Sequence, residues 1–291
     1  RAGRVKLRTN LAQLLDRPTS YFTTHKPEME NEILPLGWYE NGVQFYGTFA
    51  KRFRYELSVT NGLDATGFST RNWIKKGHQV RFEMANAETP ALSARIDYLF
   101  GKSKHTFVGI GGYINNTAPN RPKSDIDKSA VVTLFTAHLS YDEGPLRFNT
   151  AFVFGNLENS DVVTRANRGL SKGLGVKRNV IGKQALGLSA ELGYEVLSLT
   201  NYTGVQKLYP FVRYDYYDTM HAVEGYVIKQ DRWERKAFTT GVNWFIIPQI
   251  LVKAQYQWRT LGGEHYHLIT KLPIGRGAQE NTFSLGVAFS F

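Results

Sequence analysis

The sequence of 291 residues contains no cysteine, which excludes disulfide bridges and thiolate-bound metals. It also lacks a long hydrophobic run, since the densest one, Trp244 to Ile247, ends at Pro248 and Gln249. A helix that crosses a bilayer needs about 18 consecutive apolar residues, so no transmembrane helix is predicted. Intrinsic disorder is excluded as well, because 18 Phe, 16 Tyr and 5 Trp are too much apolar surface to leave unburied.

The start of the chain carries no secretion signal. Charged residues followed by an apolar stretch and a small-residue cleavage site are missing, and Arg1-Ala2-Gly3-Arg4 reads as internal sequence. We therefore expect a mature form, a fragment, or a protein that never carried such a signal.

A two-residue repeat of apolar side chains runs along most of the chain. Phe283, Leu285, Val287 and Phe289, for example, alternate with polar or small residues, which indicates a strand with one apolar face. Twelve segments show this alternation: residues 5–7, 43–49, 53–59, 92–100, 108–114, 131–141, 146–154, 186–196, 210–216, 238–246, 250–258 and 283–291. The sequence therefore predicts an all-β fold of twelve strands.

The connections between these strands alternate in length. The short ones are residues 51–52, 101–104, 142–145, 198–206 and 247–248. The long ones are residues 11–40, 62–90, 116–129, 158–183, 218–235 and 261–279. Short turns on one side and long loops on the other are typical of an outer-membrane β-barrel, whereas a soluble β-sandwich has no reason for this alternation.

The polar faces of the predicted strands decide which way the apolar side chains point. Arg, Lys, Glu and Gln occur on nearly every strand, and the side chains of a twelve-stranded wall are too short to fill the space that it encloses. We therefore predict a water-filled lumen, with Leu188, Val252 and Phe283 facing lipid. A closed antiparallel transmembrane barrel, a single domain over residues 1–291, also satisfies every backbone hydrogen-bonding group.

The predicted lumen carries an excess of positive charge. Its nine cations are Arg4, Lys6, Arg8, Arg54, Arg95, Arg147, Arg213, Lys253 and Arg259. Its five carboxylates are Glu56, Asp97, Glu191, Glu195 and Asp215. Because a narrow aqueous path in a low-dielectric wall focuses such a field, we expect the pore to prefer anions.

Arg4, Lys6 and Arg8 share one face of the first predicted strand, about 7 Å apart. Such a ladder could pass a phosphate or a carboxylate from one cation to the next. The alternative is that the lumen cations pair with wall carboxylates, as Arg54 with Glu56 would.

Several segments resemble the phosphate-selective porin O and P family. They are residues 27–35, 38–43, 60–64, 209–215 and 279–286, and a final strand ending in Phe291 is similar to the carboxy-terminal signal of bacterial outer-membrane proteins. The resemblance implies a sixteen-stranded trimeric porin of a Gram-negative outer membrane, with an inward-folded third external loop. Residues 4–8 would then belong to the fifth strand, after four strands that this sequence lacks. A complete twelve-stranded barrel is the alternative.

The same resemblance makes residues 11–40 the candidate inward-folded constriction loop. Its charged residues include Asp16, Arg17, His25, Lys26, Glu28, Glu30 and Glu32. This mixture departs from a purely basic constriction, and the acidic residues are expected to be tied to wall arginines.

The function expected from these features is an anion-preferring diffusion channel for small solutes such as phosphate or carboxylates. It needs no cofactor, no metal and no catalytic residue, and its partners would be the bilayer, lipopolysaccharide and two further copies in a homotrimer. Loop cations that would bind lipopolysaccharide phosphates, or draw anions to the mouth of the pore, are Arg165, Arg168, Lys172, Lys177 and Arg178. Nucleic acid is not expected, because the basic residues form no single stripe.

Two other functions stay open. One is an adhesin or an assembly partner in a larger complex. The other is a barrel lipid hydrolase, which would need a serine and a histidine in hydrogen-bond reach. His138 falls on the lumen face and no such pair suggests itself. A metal at His265 and His267 is less compatible with the sequence than a solvated loop.

Overall fold

One antiparallel sheet makes up most of the molecule, as a computed structural model describes it over residues 1–35, 37–170, 178–262 and 279–290. In these residues twelve strands pair in sequence order. They are β1 (Ala2–Lys6), β2 (Tyr39–Phe49), β3 (Phe53–Asn61), β4 (Pro90–Leu99), β5 (Phe107–Asn116), β6 (Val131–Glu143), β7 (Leu146–Leu157), β8 (Gln184–Tyr194), β9 (Lys207–Ala222), β10 (Glu234–Ile247), β11 (Ile250–Leu261) and β12 (Gln279–Phe289). The predicted all-β class and strand number are confirmed. Within the described ranges β1 and β12 do not pair with each other, so the sheet has two open edges.

The connections alternate between short and long, as predicted. Residues 50–52, 100–106, 144–145, 195–206 and 248–249 join strands at one end of the sheet, which we call the turn end. Residues 7–38, 62–89, 117–130, 158–183, 223–233 and 262–278 join them at the other, the loop end. Gly144 has φ +59° in the two-residue turn between β6 and β7, the left-handed backbone that such hairpins require.

Within the residues that the structure describes, three short α-helices lie in the long connections. They are α1 (Leu11–Leu14), α2 (Glu28–Ile33) and α3 (Ser160–Gly169), and single 3₁₀ turns occur at Ala65–Gly67, Lys75–Gly77, Phe82–Met84, Val196–Leu199 and Asp231–Trp233. The side chain of Asn10 caps α1 by accepting a hydrogen bond from the backbone N–H of Gln13 at 3.0 Å. None of the helices in the described part of the chain is long and apolar enough to span a membrane.

The apolar faces of β2 to β12 point away from the connections, as predicted. Leu188 is 46% exposed and Phe283 is more exposed still. Ser189, which follows Leu188, and Lys253, which follows Val252, are buried on the opposite face. In the register Leu188 lies opposite Phe152 and Val252 lies opposite Val287, so the exposed residues of neighbouring strands form a continuous surface. We call the covered face of the sheet the inner face and the apolar one the outer face.

Strand β1 has the opposite orientation to the one predicted. Val5 lies opposite Glu40 in the register and is 3% exposed, on the inner face. Arg4 and Lys6 lie on the other side of the strand, and Lys6 is opposite Tyr39. The three cations therefore do not form one ladder on the inner face, although the side chains of Lys6 and Arg8 line a cavity beside the connection 7–38. The physical reason is that the space beside β1 is apolar, so that Val5 rather than its charged neighbours is buried there.

A large apolar cluster covers the inner face of the sheet. Trp38, Leu63, Phe68 and Trp73 are fully buried in it and come from the connections 7–38 and 62–89. They pack with buried residues of the strands, which include Tyr113, Val132, Leu134, Ala151, Val153 and Leu157. The strand alternation identifies the side chains of the wall but says nothing about the side chains of the connections. These loop residues occupy part of the interior, which the sequence predicts to be filled with water.

Candidate functional site

The connection 7–38 crosses the inner face of the sheet from β1 to β11. The hydroxyl of Thr136 on β6 donates to the carbonyl oxygen of Thr9. Further along, the backbone N–H of Thr24 donates to Oε1 of Gln255 on β11 at 2.7 Å. Contacts this far apart in the sheet place the segment across the interior.

Lys253 of β11 anchors this connection. Its buried ammonium donates to the carbonyl oxygens of Tyr21 and Thr23 at 2.7 and 2.8 Å. It also lies 4.3 Å from the centre of the Tyr21 ring, close enough for a cation–π contact. This predicted pore-lining cation therefore holds the connection to the wall.

Glu28 of α2 is bound to a second wall cation. Its two carboxylate oxygens accept from Nε and Nη2 of Arg259 at 2.7 and 2.8 Å, a bidentate pair. The hydroxyl of Tyr217 donates to the same carboxylate at 2.8 Å. The ion pair between Glu28 and Arg259 is of the kind that the sequence predicts between the acidic residues of the connection and the arginines of the wall.

Asp16 joins two lysines at the turn end. Both Lys6 and Lys26 form ion pairs with its carboxylate. Burial acts to raise the pKa of Asp16, but the hydrogen bonds from the two lysines hold it below its ordinary value. Arg17 and His25 of the same connection are exposed.

Glu30 of α2 is a buried carboxyl group with few partners. Oε1 accepts a hydrogen bond from the backbone N–H of Ala12 at 3.1 Å. Burial raises the pKa of Glu30 to about 7, although that hydrogen bond and the charge of Arg213 oppose the shift. Its neighbour on the helix, Glu32, instead accepts from the amide of Asn72 at 2.8 Å.

We expect Glu30→Gln to stabilise the protein at alkaline pH. Because the pKa of Glu30 in the folded state is raised from its usual 4.5 to about 7, its contribution is fully present below pH 4.5 and is lost as the pH rises through 7. Glutamine stays neutral, so the variant should exceed the parent by roughly 2–3 kcal/mol at pH 8 and by little at pH 5. Urea unfolding in detergent at both pH values measures this. The exposed Glu88→Gln is the control, and equal changes in both variants would contradict the expectation.

Arg213 of β9 lies at the centre of a buried carboxylate cluster. Its guanidinium donates to Asp215 at 2.7 and 2.8 Å and to Glu191 on β8 at 3.3 Å. Glu30 acts on the same guanidinium through its charge. One buried cation thus neutralises carboxylates from two strands and a connection.

A second buried carboxylate, Asp97 of β4, collects three partners. Arg95 and Arg54 lie 3.2 and 3.4 Å from its Oδ2. Nε2 of His138 lies 2.9 Å from Oδ1. Arg54 therefore pairs across strands with Asp97, and not with Glu56 of its own strand.

Glu56 and Asp142 bind the remaining wall cations. Arg8 lies 3.5 Å and Arg95 lies 3.8 Å from Oε2 of Glu56. Arg147 lies 3.1 Å from Oδ1 of Asp142 near the turn end. Most of the predicted cations are therefore ion-paired, and the exposed Arg4 lies 5.7 Å from the ring of Tyr39.

In two of these pairs the cation is the accessible member. The side chain of Arg8 is 33% exposed and its partner Glu56 only 6%. The side chain of Arg54 is 30% exposed and Asp97 is fully buried. In both pairs the arginine side chain is therefore the member in contact with solvent, and the carboxylate is shielded from it.

Two cavities of several hundred Å³ adjoin the connection 7–38. The turn-end cavity, of about 530 Å³, is lined by Lys6, Arg8, Asp16, Arg17 and His105 among others. The loop-end cavity, of about 480 Å³, lies among α2, the connection 223–233 and strands β9 to β12. Its lining includes Arg232, Trp233 and Arg235, none of which the strand alternation identifies; the Arg-Trp-Glu-Arg sequence is the only local signal.

The basic connection 158–183 is partly described. Arg165 and Arg168 are exposed on α3, each with its guanidinium 5.7 Å from the ring of Tyr226. Arg178 donates to the carbonyl oxygen of Leu170. Lys172, Lys177, His265, His267 and Phe291 lie outside the described residues. In the described ranges, no three His, Asp or Glu side chains come together as metal ligands would.

Comparisons with known proteins identify the fold. No family model matches the chain. An uncharacterized protein of Aquifex aeolicus (strain VF5) is 26% identical over 262 residues, 88% of this chain and 57% of that protein, so the chain spans little over half of this relative. The anion-selective porin from Comamonas acidovorans superposes with a TM-score of 0.56 and 11% identity over 99% of this chain and 73% of that one. OmpT, an outer membrane protein of Vibrio cholerae, superposes with a TM-score of 0.49 and 11% identity, over 99% of this chain and 74% of that one. The sheet therefore has the fold of a porin.

Proposed function

We propose that the protein forms a diffusion channel for small solutes in the outer membrane of a Gram-negative bacterium. The observation that carries this proposal is the division of the sheet into an exposed apolar outer face and an inner face that carries buried charged side chains beside the apolar cluster. Apolar residues are exposed on every strand from β2 to β12 except β7, where residues such as Phe152 are half-buried, and such a surface would be unstable in water and stable against lipid. The short turns then face the periplasm and the long connections face outward.

The barrel is completed by strands beyond the described sheet. An open edge in hydrocarbon leaves backbone N–H and C=O groups without partners, at several kcal/mol for each group. β1 and β12 both present such edges, and the Aquifex relative has room for further strands. Four additional strands would give the sixteen-stranded barrel of the phosphate-selective porin O and P family, and direct closure of β1 on β12 is the alternative. A homotrimer and contacts of the basic connection 158–183 with lipopolysaccharide belong to the same proposal.

The connection 7–38 acts as the constriction of this channel. It reaches from Thr9 beside β6 to Lys253 and Arg259 on β11, and it separates the turn-end cavity from the loop-end cavity. The solute path follows these cavities, past the pore-lining cations that border them.

The proposed channel prefers anions such as phosphate or carboxylates. Arg8 and Arg54 present their guanidiniums toward the interior, and their carboxylate partners are buried behind them. A unit charge about 6 Å from a passing ion in water contributes roughly 0.7 kcal/mol, or about a threefold difference in local concentration. Two such cations are enough for a measurable preference.

A salt gradient across a planar bilayer tests this. With KCl, the reversal potential should have the sign of chloride permeability. The double variant Arg8→Gln with Arg54→Gln should reduce the chloride-to-potassium permeability ratio about threefold or more. It should still fold, because Arg95 remains beside both Glu56 and Asp97. Arg81→Gln, an exposed cation of the connection 62–89, is the control. A potassium-selective parent would refute the anion preference.

An adhesin or assembly partner is the second candidate, favoured by the apolar cluster that fills much of the inner face. An inserted protein that passes no current would support it. The lipid-hydrolase alternative receives no support from His138, whose Nε2 lies against Asp97 rather than a serine.

A further inference from the structure

The loop-end cavity brings together cations that have no carboxylate partner. Arg232 in the connection 223–233 and Arg235 at the start of β10 both line it, and neither forms an ion pair with any residue in the described ranges. Their guanidiniums lie 5.2 and 5.5 Å from the ring of Trp233, which keeps both beside the indole. Guanidiniums held in this way are suited to bind a carboxylate or a phosphate.

Each carboxylate of the same cavity already has a cation beside it, and for Glu32 these are Arg71 and Lys75, both at 3.8 Å. Glu28 and Glu280 both accept from Arg259, Glu280 at 3.0 Å. Asp215 forms its bidentate pair with Arg213 on the adjoining wall. Among the described residues, five Lys and Arg side chains and four carboxylates line the cavity, so the excess is one positive charge, and the two arginines without an ion pair there lie beside Trp233.

The opposite side of the cavity offers neutral hydroxyl groups. Thr282 and Ser284 of β12 line it from the inner face, opposite Gln257 and Gln255 in the register. Neither hydroxyl has a hydrogen-bond partner in the part of the chain that the structure describes. Each can donate to and accept from a ligand, as hydroxyl-bearing solutes require.

We propose that the loop-end cavity binds a small organic anion that carries hydroxyl groups. Its acidic group pairs with Arg232 and Arg235, and its hydroxyls bond to Thr282 and Ser284. The volume of about 480 Å³ is in the range of small-molecule sites. The inference deepens the proposed function and rests on it, since it makes the cavity a binding station at the outer mouth of the channel.

Gluconate, hexanoate and glucose separate the two requirements, because they carry respectively charge with hydroxyls, charge alone and hydroxyls alone. Isothermal titration of the full chain in detergent should show gluconate bound about tenfold more tightly than either analogue. In a bilayer, gluconate should block the chloride current with a similar half-saturation concentration.

Variants assign the contacts. Arg232→Gln and Arg235→Gln should each weaken gluconate binding about tenfold, and Arg81→Gln should leave it unchanged. Thr282→Val with Ser284→Ala should remove the preference of gluconate over hexanoate. Heat-modified gel mobility verifies that each variant is folded.

The outcomes separate the inference from the function on which it rests. Conductance without gluconate binding overturns the site and leaves the channel standing. Binding without conductance overturns the channel and retains the site. Equal binding of gluconate and hexanoate, or binding unchanged in both arginine variants, refutes the proposed ligand class.

Discussion

Replacing Trp73 by alanine should lower the free energy of unfolding by about 3–5 kcal/mol. Trp73 is fully buried in the apolar cluster, and its Nε1 donates to the carbonyl oxygen of Gly182 at 3.0 Å. The ring packs so closely against β7 that a Cβ on Gly155 would lie 2.1 Å from it. Alanine would leave a large cavity and an unpaired carbonyl, which the surrounding strands cannot close.

Trp244→Ala is the matched control, because this tryptophan lies on the outer face of β10 and is partly exposed. Urea unfolding in detergent should show a loss of under about 1.5 kcal/mol for Trp244→Ala, since no internal cavity forms. If the cluster blocks part of the channel, Trp73→Ala should also raise the single-channel conductance. A smaller loss for Trp73→Ala than for Trp244→Ala would show that the cluster does not hold the connections to the sheet.

The outer face could be predicted from the sequence because it obeys a local rule. Alternate residues of a strand point to opposite sides, so Leu188 and Phe283 must share a face with their apolar neighbours. The rule decides nothing for β1, where five residues offer too few positions and the apolar environment beside Val5 comes from distant parts of the chain.

The interior could not be predicted in this way. Trp38 and Trp73 lie in connections without a repeat, and what they pack against depends on how those connections cross the sheet. Neither helix propensity nor strand alternation carries that information, since the contacts join residues far apart in sequence.

The charged pairs divide along the same line. Arg213 and Asp215 are two residues apart on one strand, so their pairing follows from the strand itself. Arg54 is equally near Glu56 in sequence but binds Asp97, because the register between β3 and β4 sets the two directly opposite. This register cannot be predicted from the sequence of one strand alone, because it depends on how the neighbouring strand pairs with it. For the same reason the sequence does not identify Arg232 and Arg235 as part of a site, since the cavity exists only once β12 and α2 lie beside them.

Replacing Arg213 by glutamine should cost about 3–5 kcal/mol at pH 8. The guanidinium is buried with Asp215 and Glu191, and its positive charge also attracts the carboxylate of Glu30. Glutamine would leave these carboxylates close together and without a cation in a region that excludes water. The loss should be smaller at pH 5, because Glu30, whose pKa is raised to about 7, is protonated there and no longer adds to the repulsion, so the stability of the variant should rise toward acid pH.

Two companion variants distinguish lost charge compensation from lost packing. Arg213→Lys keeps the positive charge without the bidentate geometry, so it should lose less stability than glutamine at pH 8. Arg213→Gln combined with Asp215→Asn removes one buried charge of each sign, and it should recover part of the loss, as double-variant cycles detect for residues in contact. Urea unfolding of all three at pH 5 and 8 provides the comparison. If glutamine and lysine were equally destabilising at both pH values, the cluster would depend on the shape of the guanidinium, and the carboxylates around it would need no compensating charge.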